Sequence, residues 1–240
     1  MFSSFNQRSD AVEIIDDFSM SGQEVIDCFK TIERVNKWLG GNKILVKGVA
    51  TVLQQMKKSA QVLRITDLGS GSGDGLIALA KWVRKEHKKV QIEGWEANEF
   101  ILAYAEEQAQ GFPEISYRNG DILADSSSFE GTDVITLNLC LHHFEDHEIE
   151  KLINKCINDG ARAILVNDLH RHWLAYFLFT IFCRLTFANR VARIDGLISI
   201  QKGFTRKELM HLAQLKGVSS YQLKWKWAFR YQLILWINKN

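Results

Sequence analysis

Three kinds of residue in this 240-residue chain could do chemistry, and each stands next to a stretch able to position it. The first is a run of small residues, Gly69-Ser70-Gly71-Ser72-Gly73, which follows Asp67-Leu68 and an apolar run (Val62, Leu63, Ile65). It leads into residues of helical spacing, Leu76, Ile77, Leu79, Ala80 and Val83. A strand-to-helix turn so poor in side chains brings main-chain N–H groups up to a ligand. The second kind is a carboxylate at a strand tip. Glu96 closes the apolar run Val90–Trp95, and its two oxygens form a fork able to accept hydrogen bonds from both ribose hydroxyls of a nucleoside. The third kind is imidazole. His142, His143 and His170 carry side chains that titrate close to neutral pH and can take a proton from an acceptor.

Spacing separates the possible cradles. A dinucleotide fingerprint requires G-x-G-x-x-G, but counting from Gly69 its last position is Asp74, and from Gly71 it is Leu76. A phosphate loop requires Gly-Lys-Ser/Thr after the turn, and the first lysine that follows is Lys81. What remains is an acid two positions before G-x-G-x-G, which resembles the first motif of class I S-adenosylmethionine (AdoMet) methyltransferases. The resemblance implies AdoMet as cofactor, held by Asp67, Gly69, Ser70, Gly71 and Gly73, with Glu96 and Ala97 at the ribose. Asn119-Gly120-Asp121-Ile122, after the third strand, is similar to the family position where an acid, here Asp121, meets the adenine amino group and an apolar neighbour, Ile122, meets the ring. Read alone, Asn-Gly-Asp is an ordinary turn.

The segment Asn138-Leu139-Cys140-Leu141-His142-His143-Phe144 resembles the L-H-H stretch of small-molecule methyltransferases of the ubiquinone-biosynthesis type. The resemblance implies that Asn138 and Leu139 lie beside the methionine end of the cofactor and that the segment leads toward the acceptor. His143 and His170 are the first candidates for the base and His142 the next, with one of the adjacent pair anchoring the turn. Asp168 and His170 form a second candidate pair, for acceptor binding, for proton removal or for starting a helix. No metal site is expected. Cys28, Cys140, Cys156 and Cys183 lack C-x-x-C spacing and read as buried thiols of a reducing compartment.

The elements that must carry these groups follow in order. Residues 8–58 show helical spacing in at least two pieces, Val25 to Trp38 and Leu45 to Met56, broken at Gly40-Gly41-Asn42. They read as a helical cap, with Asp16-Asp17 and Lys47 as its notable polar residues. Strands are expected at the run Val62–Ile65 and at 90–95, 115–118, 133–139 and 161–166, alternating with a helix that carries Leu76, Ile77, Leu79, Ala80 and Val83 and with helices at 98–110 and 145–158. Thr205 and Glu208 have capping-box spacing for a helix running to Lys216. Residues 221–229 and 231–238 then alternate as a closing antiparallel hairpin. The fold expected is α/β and Rossmann-like: a seven-stranded, mostly parallel sheet with an antiparallel C-terminal hairpin, helices on both faces and the N-terminal cap. The methyltransferase domain is expected over residues 59–240, with a lid insertion at about 170–203.

Composition bears on the acceptor. A formal charge of +2 and 46% hydrophobic residues describe a globular chain without a broad electrostatic surface for nucleic acid. The N-terminus lacks a basic-then-apolar leader pattern, and a cytoplasmic location is expected. Residues Trp173 to Cys183, which precede a basic and then turn-rich stretch of Arg184, Arg190, Arg193 and Asp195-Gly196, are apolar on nearly every side and too short to cross a bilayer. Such a helix is buried, covers an apolar pocket or rests on a membrane surface. By position in the family it suggests a small lipophilic acceptor, a phenol or quinol type methylated at oxygen or carbon. A methyltransferase of protein or RNA, or a non-catalytic interaction protein of the same fold, is the alternative.

Overall fold

The computed structural model describes residues 5–56, 62–186 and 189–238. Seven strands form one sheet: β1 (Leu63–Leu68), β2 (Val90–Glu96), β3 (Ile115–Asn119), β4 (Val134–Asn138), β5 (Ala163–Leu169), β6 (Val218–Lys226) and β7 (Arg230–Ile237), in spatial order β3-β2-β1-β4-β5-β7-β6. All neighbours among β1 to β5 pair parallel, and β7 runs antiparallel to both β5 and β6. Among the described residues eight α-helices surround the sheet: α1 (Gln23–Trp38), α2 (Gly41–Gln55), α3 (Asp74–Lys85), α4 (Glu99–Gln108), α5 (Asp146–Asn158), α6 (Trp173–Thr186), α7 (Arg190–Lys202) and α8 (Arg206–Leu212). This is the Rossmann-like arrangement expected from the sequence.

Period-two alternation in the central strands sorts side chains into two apolar layers. Ile164 and Val166 of β5 and Leu233 and Leu235 of β7 pack with Leu152, Ile153 and Cys156 of α5 and Leu209 and Leu212 of α8. Ala163, Leu165 and Ile234, from the same strands, pack with Leu45, Val49 and Val52 of α2 and Leu76, Leu79 and Val83 of α3. Helix α2 is therefore part of the sheet's own covering. The boundary expected at residue 58 lies outside the described residues.

Three elements differ from the sequence reading, two of them because a distant partner overrides a local signal. Strand β5 continues through Asn167 and Asp168, which hold register with Gln232 and Tyr231 of β7, so the polar tail lies inside the sheet. Asp195-Gly196, a turn signal in isolation, lies within α7, because the Asp195 carboxylate accepts the main-chain N–H groups of Ile14 and Ile15 at 2.9 and 3.0 Å. Helix α8 stops at Leu212 and not Lys216, although its capping box forms as expected. The four cysteines are free thiols and buried. None of the described helices is long and apolar enough to cross a membrane.

β1 and β4 are adjacent strands whose crossovers leave in opposite directions, which opens a crevice at their carboxyl ends. The turn after β1, the tips of β2 and β3 and the segment after β4 all meet there.

Candidate functional site

A cavity of about 340 Å³ occupies this crevice. Its floor comes from the sheet ends: Gly69, Ser70, Gly71, Ser72, Glu96, Ala97, Asp121, Ile122, Asn138, Leu139 and Cys140 all line it. Its roof comes from the N-terminal segment and α1, through Ile15, Asp16, Phe18, Phe29 and Ile32, with His143 and Phe144 closing the side.

The glycine turn works differently from the sequence expectation. Gly69 and Ser70 donate their N–H groups to the Trp95 carbonyl at 3.0 and 2.9 Å, Gly73 donates to the Ser70 carbonyl, and Gly71 donates to Glu96 Oε2 at 2.9 Å. These amides are consumed inside the fold, because a tight turn satisfies its own donors when strand β2 runs beside it. What the small residues supply is space. Gly69 has φ +73°, and a Cβ there would run into the buried Cys140 sulfur; Gly73, at φ +77°, would run into the Tyr117 hydroxyl.

Glu96 is fixed at both ends. Its Oε1 accepts the Asn98 N–H at 2.9 Å and its Oε2 the Gly71 N–H. Burial raises its carboxyl above the usual range in spite of these donors. Asn98 caps α4 through Oδ1 and ties the roof down by donating from Nδ2 to the Met20 carbonyl at 2.9 Å. Asp121 is exposed at the cavity edge, its Oδ1 accepting the Leu123 N–H at 2.8 Å, and Ile122 beside it is buried. Asn138 accepts from Asn167 Nδ2 at 2.7 Å. Leu139 takes φ +57° with its N–H on the Asn167 carbonyl, a conformation that costs a non-glycine residue about 1–2 kcal/mol and turns the chain from β4 into the cavity wall.

Asp67 and Gly73 stand outside the cavity lining. The Asp67 side chain is buried under the floor, where Thr136 Oγ1 donates to its Oδ1, and burial pushes its carboxyl up to about 7. The three expected acids thus divide: Glu96 and Asp121 face one cavity, while Asp67 supports it from beneath.

The histidines divide too. His143 lines the cavity, and its Nδ1 lies 2.6 Å from Asp16 Oδ1 on the roof, leaving Nε2 as its other proton-exchanging atom. His142 is buried behind it, with Nδ1 2.7 Å from Asp168 Oδ1. The partner of Asp168 is therefore His142 and not His170. Burial alone would raise the Asp168 carboxyl, but the charge and hydrogen bond of His142 hold it below the usual range. His170 lies away from the cavity, its Nδ1 3.3 Å from Trp225 Nε1 and its ring edge-on to Tyr231, and burial drives its pKa down to about 4.

Around His142 and His143 lies a buried ionic cluster that the sequence reading missed except for Asp16. Ser199 of α7 donates to Glu13 Oε2 at 2.7 Å, and Lys202 Nζ lies 3.4 Å from Asp16 Oδ2 and 3.8 Å from Glu13 Oε1. Burial pushes the Glu13 carboxyl up to about 7 against the opposing pull of His143, Ser199 and Lys202. Burial would raise Asp16 as well, but the hydrogen bond and charge of His143 and the Lys202 ammonium hold it at about 2. Glu13, His142 and His143 bring ligand atoms within 4.8 Å of one another, and Lys202 supplies positive charge beside them. No local motif marks this cluster, because its members come from residues 13–16, 142–143 and 195–202. Arg8 completes the closure, donating to the carbonyls of His142, Phe144 and Lys202 at 2.8 to 2.9 Å.

Residues 65–158 match the family model of a methyltransferase domain. Among solved structures the chain is similar to the plantazolicin methyltransferase BpumL in complex with SAH, at 14% identity and a TM-score of 0.66 over 88% of this chain and 90% of that one. It is also similar to human N-acetylserotonin methyltransferase in complex with SAM, at 15% identity and a TM-score of 0.63 over 90% of this chain and 57% of that one. The CurJ carbon methyltransferase gives 12% identity and a TM-score of 0.63 over 82% of this chain and 54% of that one. No curated protein matches the chain in sequence.

Proposed function

We propose that this chain, an AdoMet-dependent methyltransferase of the class I fold, methylates a small lipophilic acceptor of the phenol or quinol kind, with His143 as the base. One observation carries the reading. The turn Gly69–Ser72, the carboxylates of Glu96 and Asp121, the segment Asn138–Cys140 and the imidazole of His143 all border one cavity, whose opposite wall is the apolar set Ile15, Phe18, Phe29, Ile32 and Phe144.

The lining fits a sulfonium nucleoside. Glu96 is held rigid by two main-chain donors and keeps lone pairs free for a pair of ribose hydroxyls. Asp121 and Ile122 offer an acceptor and an apolar surface side by side for a purine. Gly71 lines the cavity without a side chain of its own, so a ligand there meets bare main chain. Bound AdoMet supplies the methyl group on a positively charged sulfur.

The protein's own part is to align, to exclude water and to move one proton. The roof residues Phe18, Phe29 and Ile32 cover the cavity with apolar surface. A free phenol has a pKa of about 10, so a base at the acceptor raises its nucleophilicity. His143 is placed for this: Asp16 holds Nδ1, fixing the ring and leaving Nε2 to take the proton. A carboxylate kept ionised beside the ring also stabilises the imidazolium that forms. His142, bound to Asp168 and buried, orients the turn that carries His143.

Isothermal titration with AdoMet and its demethylated product tests the cofactor site, and a screen of phenols and quinols with labelled AdoMet tests the acceptor. We expect both nucleosides to bind and at least one phenol or quinol to become labelled. Binding without labelling of any such compound would overturn the acceptor class, and no binding of either nucleoside would overturn the placement of the site.

A further inference from the structure

We infer that α6 docks the protein on an anionic membrane surface. Helix α6 packs one side on α7 and leaves the other uncovered. Its exposed positions, Trp173, Phe177, Leu178, Ile181 and Leu185, follow helical spacing and form one apolar stripe, with Leu185 74% and Phe177 55% exposed. At the far end of the stripe Trp38 of α1 stands 62% exposed, edge-on to Phe182 of α6 at 6.0 Å, and extends the apolar surface. No residue of α6 borders the cavity, so the stripe is not a wall of the site described above.

Charge chooses the occupant. From His170 to Ile194 the sequence contains no aspartate or glutamate. Arg184 lies on the exposed side of α6, and Arg190 and Arg193 are exposed on α7 just beyond it. None of the three makes an ion pair among the described residues. An apolar stripe rimmed by arginines, with tryptophans at both ends, suits the boundary between lipid headgroups and acyl chains. A second copy of this chain suits it poorly, since a two-fold interface would set the same arginine rim against itself. The helix has 14 residues, too few to span and enough to lie in the interface.

Docking also has a use, given the lipophilic acceptor proposed above. Helix α7, on which α6 rests, carries the Asp195, Ser199 and Lys202 side chains that hold the roof over the cavity. A membrane under α6 therefore lies on the same flank as the roof, and an acceptor dissolved in lipid has a short path to it.

The test is co-sedimentation of the full-length chain with vesicles of phosphatidylcholine alone and of phosphatidylcholine with phosphatidylglycerol, at low and high salt. The parent is expected to pellet with the anionic vesicles, less with the neutral ones, and to be released by salt. The double variant Phe177→Ser, Leu185→Ser should bind at least about tenfold more weakly, and Arg184→Gln about fivefold more weakly on the anionic vesicles only. Both variants change exposed positions, and unchanged melting and unchanged AdoMet titration confirm that they fold. The inference is overturned if the parent stays in the supernatant with both vesicles, or if the double variant pellets as the parent does. A dimer in light scattering that the double variant splits, without vesicle binding, also overturns it. Vesicle binding without AdoMet binding would sink the functional reading and leave the docking intact.

Discussion

Glu96→Gln is the substitution that bears most directly on where the nucleoside sits. Both carboxylate oxygens of Glu96 receive a main-chain N–H at 2.9 Å, one from Gly71 and one from Asn98. A glutamine in the same place has one accepting end, so whichever way the amide turns, its NH₂ faces an N–H. The replacement also removes the charge to which two ribose hydroxyls would donate. A hydrogen bond to a charged group contributes about 1.5–3 kcal/mol. Loss of one such bond, with the other weakened, is expected to cost roughly 2–3 kcal/mol of binding, which is about 30- to 140-fold in Kd. Isothermal titration with AdoMet measures it directly, and an analogue without the two ribose hydroxyls locates its source. Parent and variant should bind that analogue with nearly equal affinity. A variant Kd for AdoMet within about threefold of the parent would refute the ribose assignment, and an equal loss with the analogue would trace the effect to the distorted turn instead.

Other perturbations probe the remaining parts of the site. His143→Ala should lower kcat by about 10²- to 10⁴-fold with AdoMet affinity nearly unchanged, and a kcat within tenfold of the parent would remove His143 as the base. Asp67 links stability to pH: its folded-state carboxyl, raised from 3.8 to about 7, gives full stability below pH 3.8, lost as pH rises toward 7. With about 1.4 kcal/mol per pH unit the loss is of the order of 4 kcal/mol, so in ligand-free protein Asp67→Asn should melt no lower than the parent at pH 8.5 and show a flatter decline from pH 4 to 7. Equal pH profiles in the two proteins would contradict this. Gly69→Ala places a β-carbon against the Cys140 sulfur at a left-handed position. It should cost about 2–3 kcal/mol and lower Tm by roughly 5–10 °C, partly recovered by Cys140→Gly, as read in a thermal melt; full parental stability would show that the turn can relax.

The sheet was largely legible because each strand is a short apolar run ending in chemistry-bearing residues, and the runs at 63–68, 90–96 and 134–138 have no competing reading. Where the reading failed, the deciding contact lay far along the chain. In sequence the nearest partner of Asp168 is His170, whereas the sheet sends its side chain to His142. Asp195-Gly196 looked like a turn, because nothing nearby announces that Asp195 accepts from Ile14 and Ile15. By sequence alone the amides of the glycine turn face a ligand, but β2 claims those of Gly69, Ser70 and Gly71 first. Asp16 was singled out only as a polar residue in a helical region; its role as the partner of His143 depends on a loop that no periodicity marks.

The cavity has two walls of different origin. One is made by the carboxyl ends of parallel strands, interlocked with the whole fold through the sheet; the other is made by a short stretch near residues 13–18 and one face of α1, fastened by Arg8, Asp195 and Asn98. On the function proposed above, specificity for the donor molecule is stored in the part least free to change, and specificity for the recipient in a part that exchanges side chains at little cost to stability. Grafting Ile15, Phe18, Phe29 and Ile32 in new combinations should consequently redirect the enzyme among recipients while its affinity for the donor stays put, which makes this strand-free edge the natural place to diversify it.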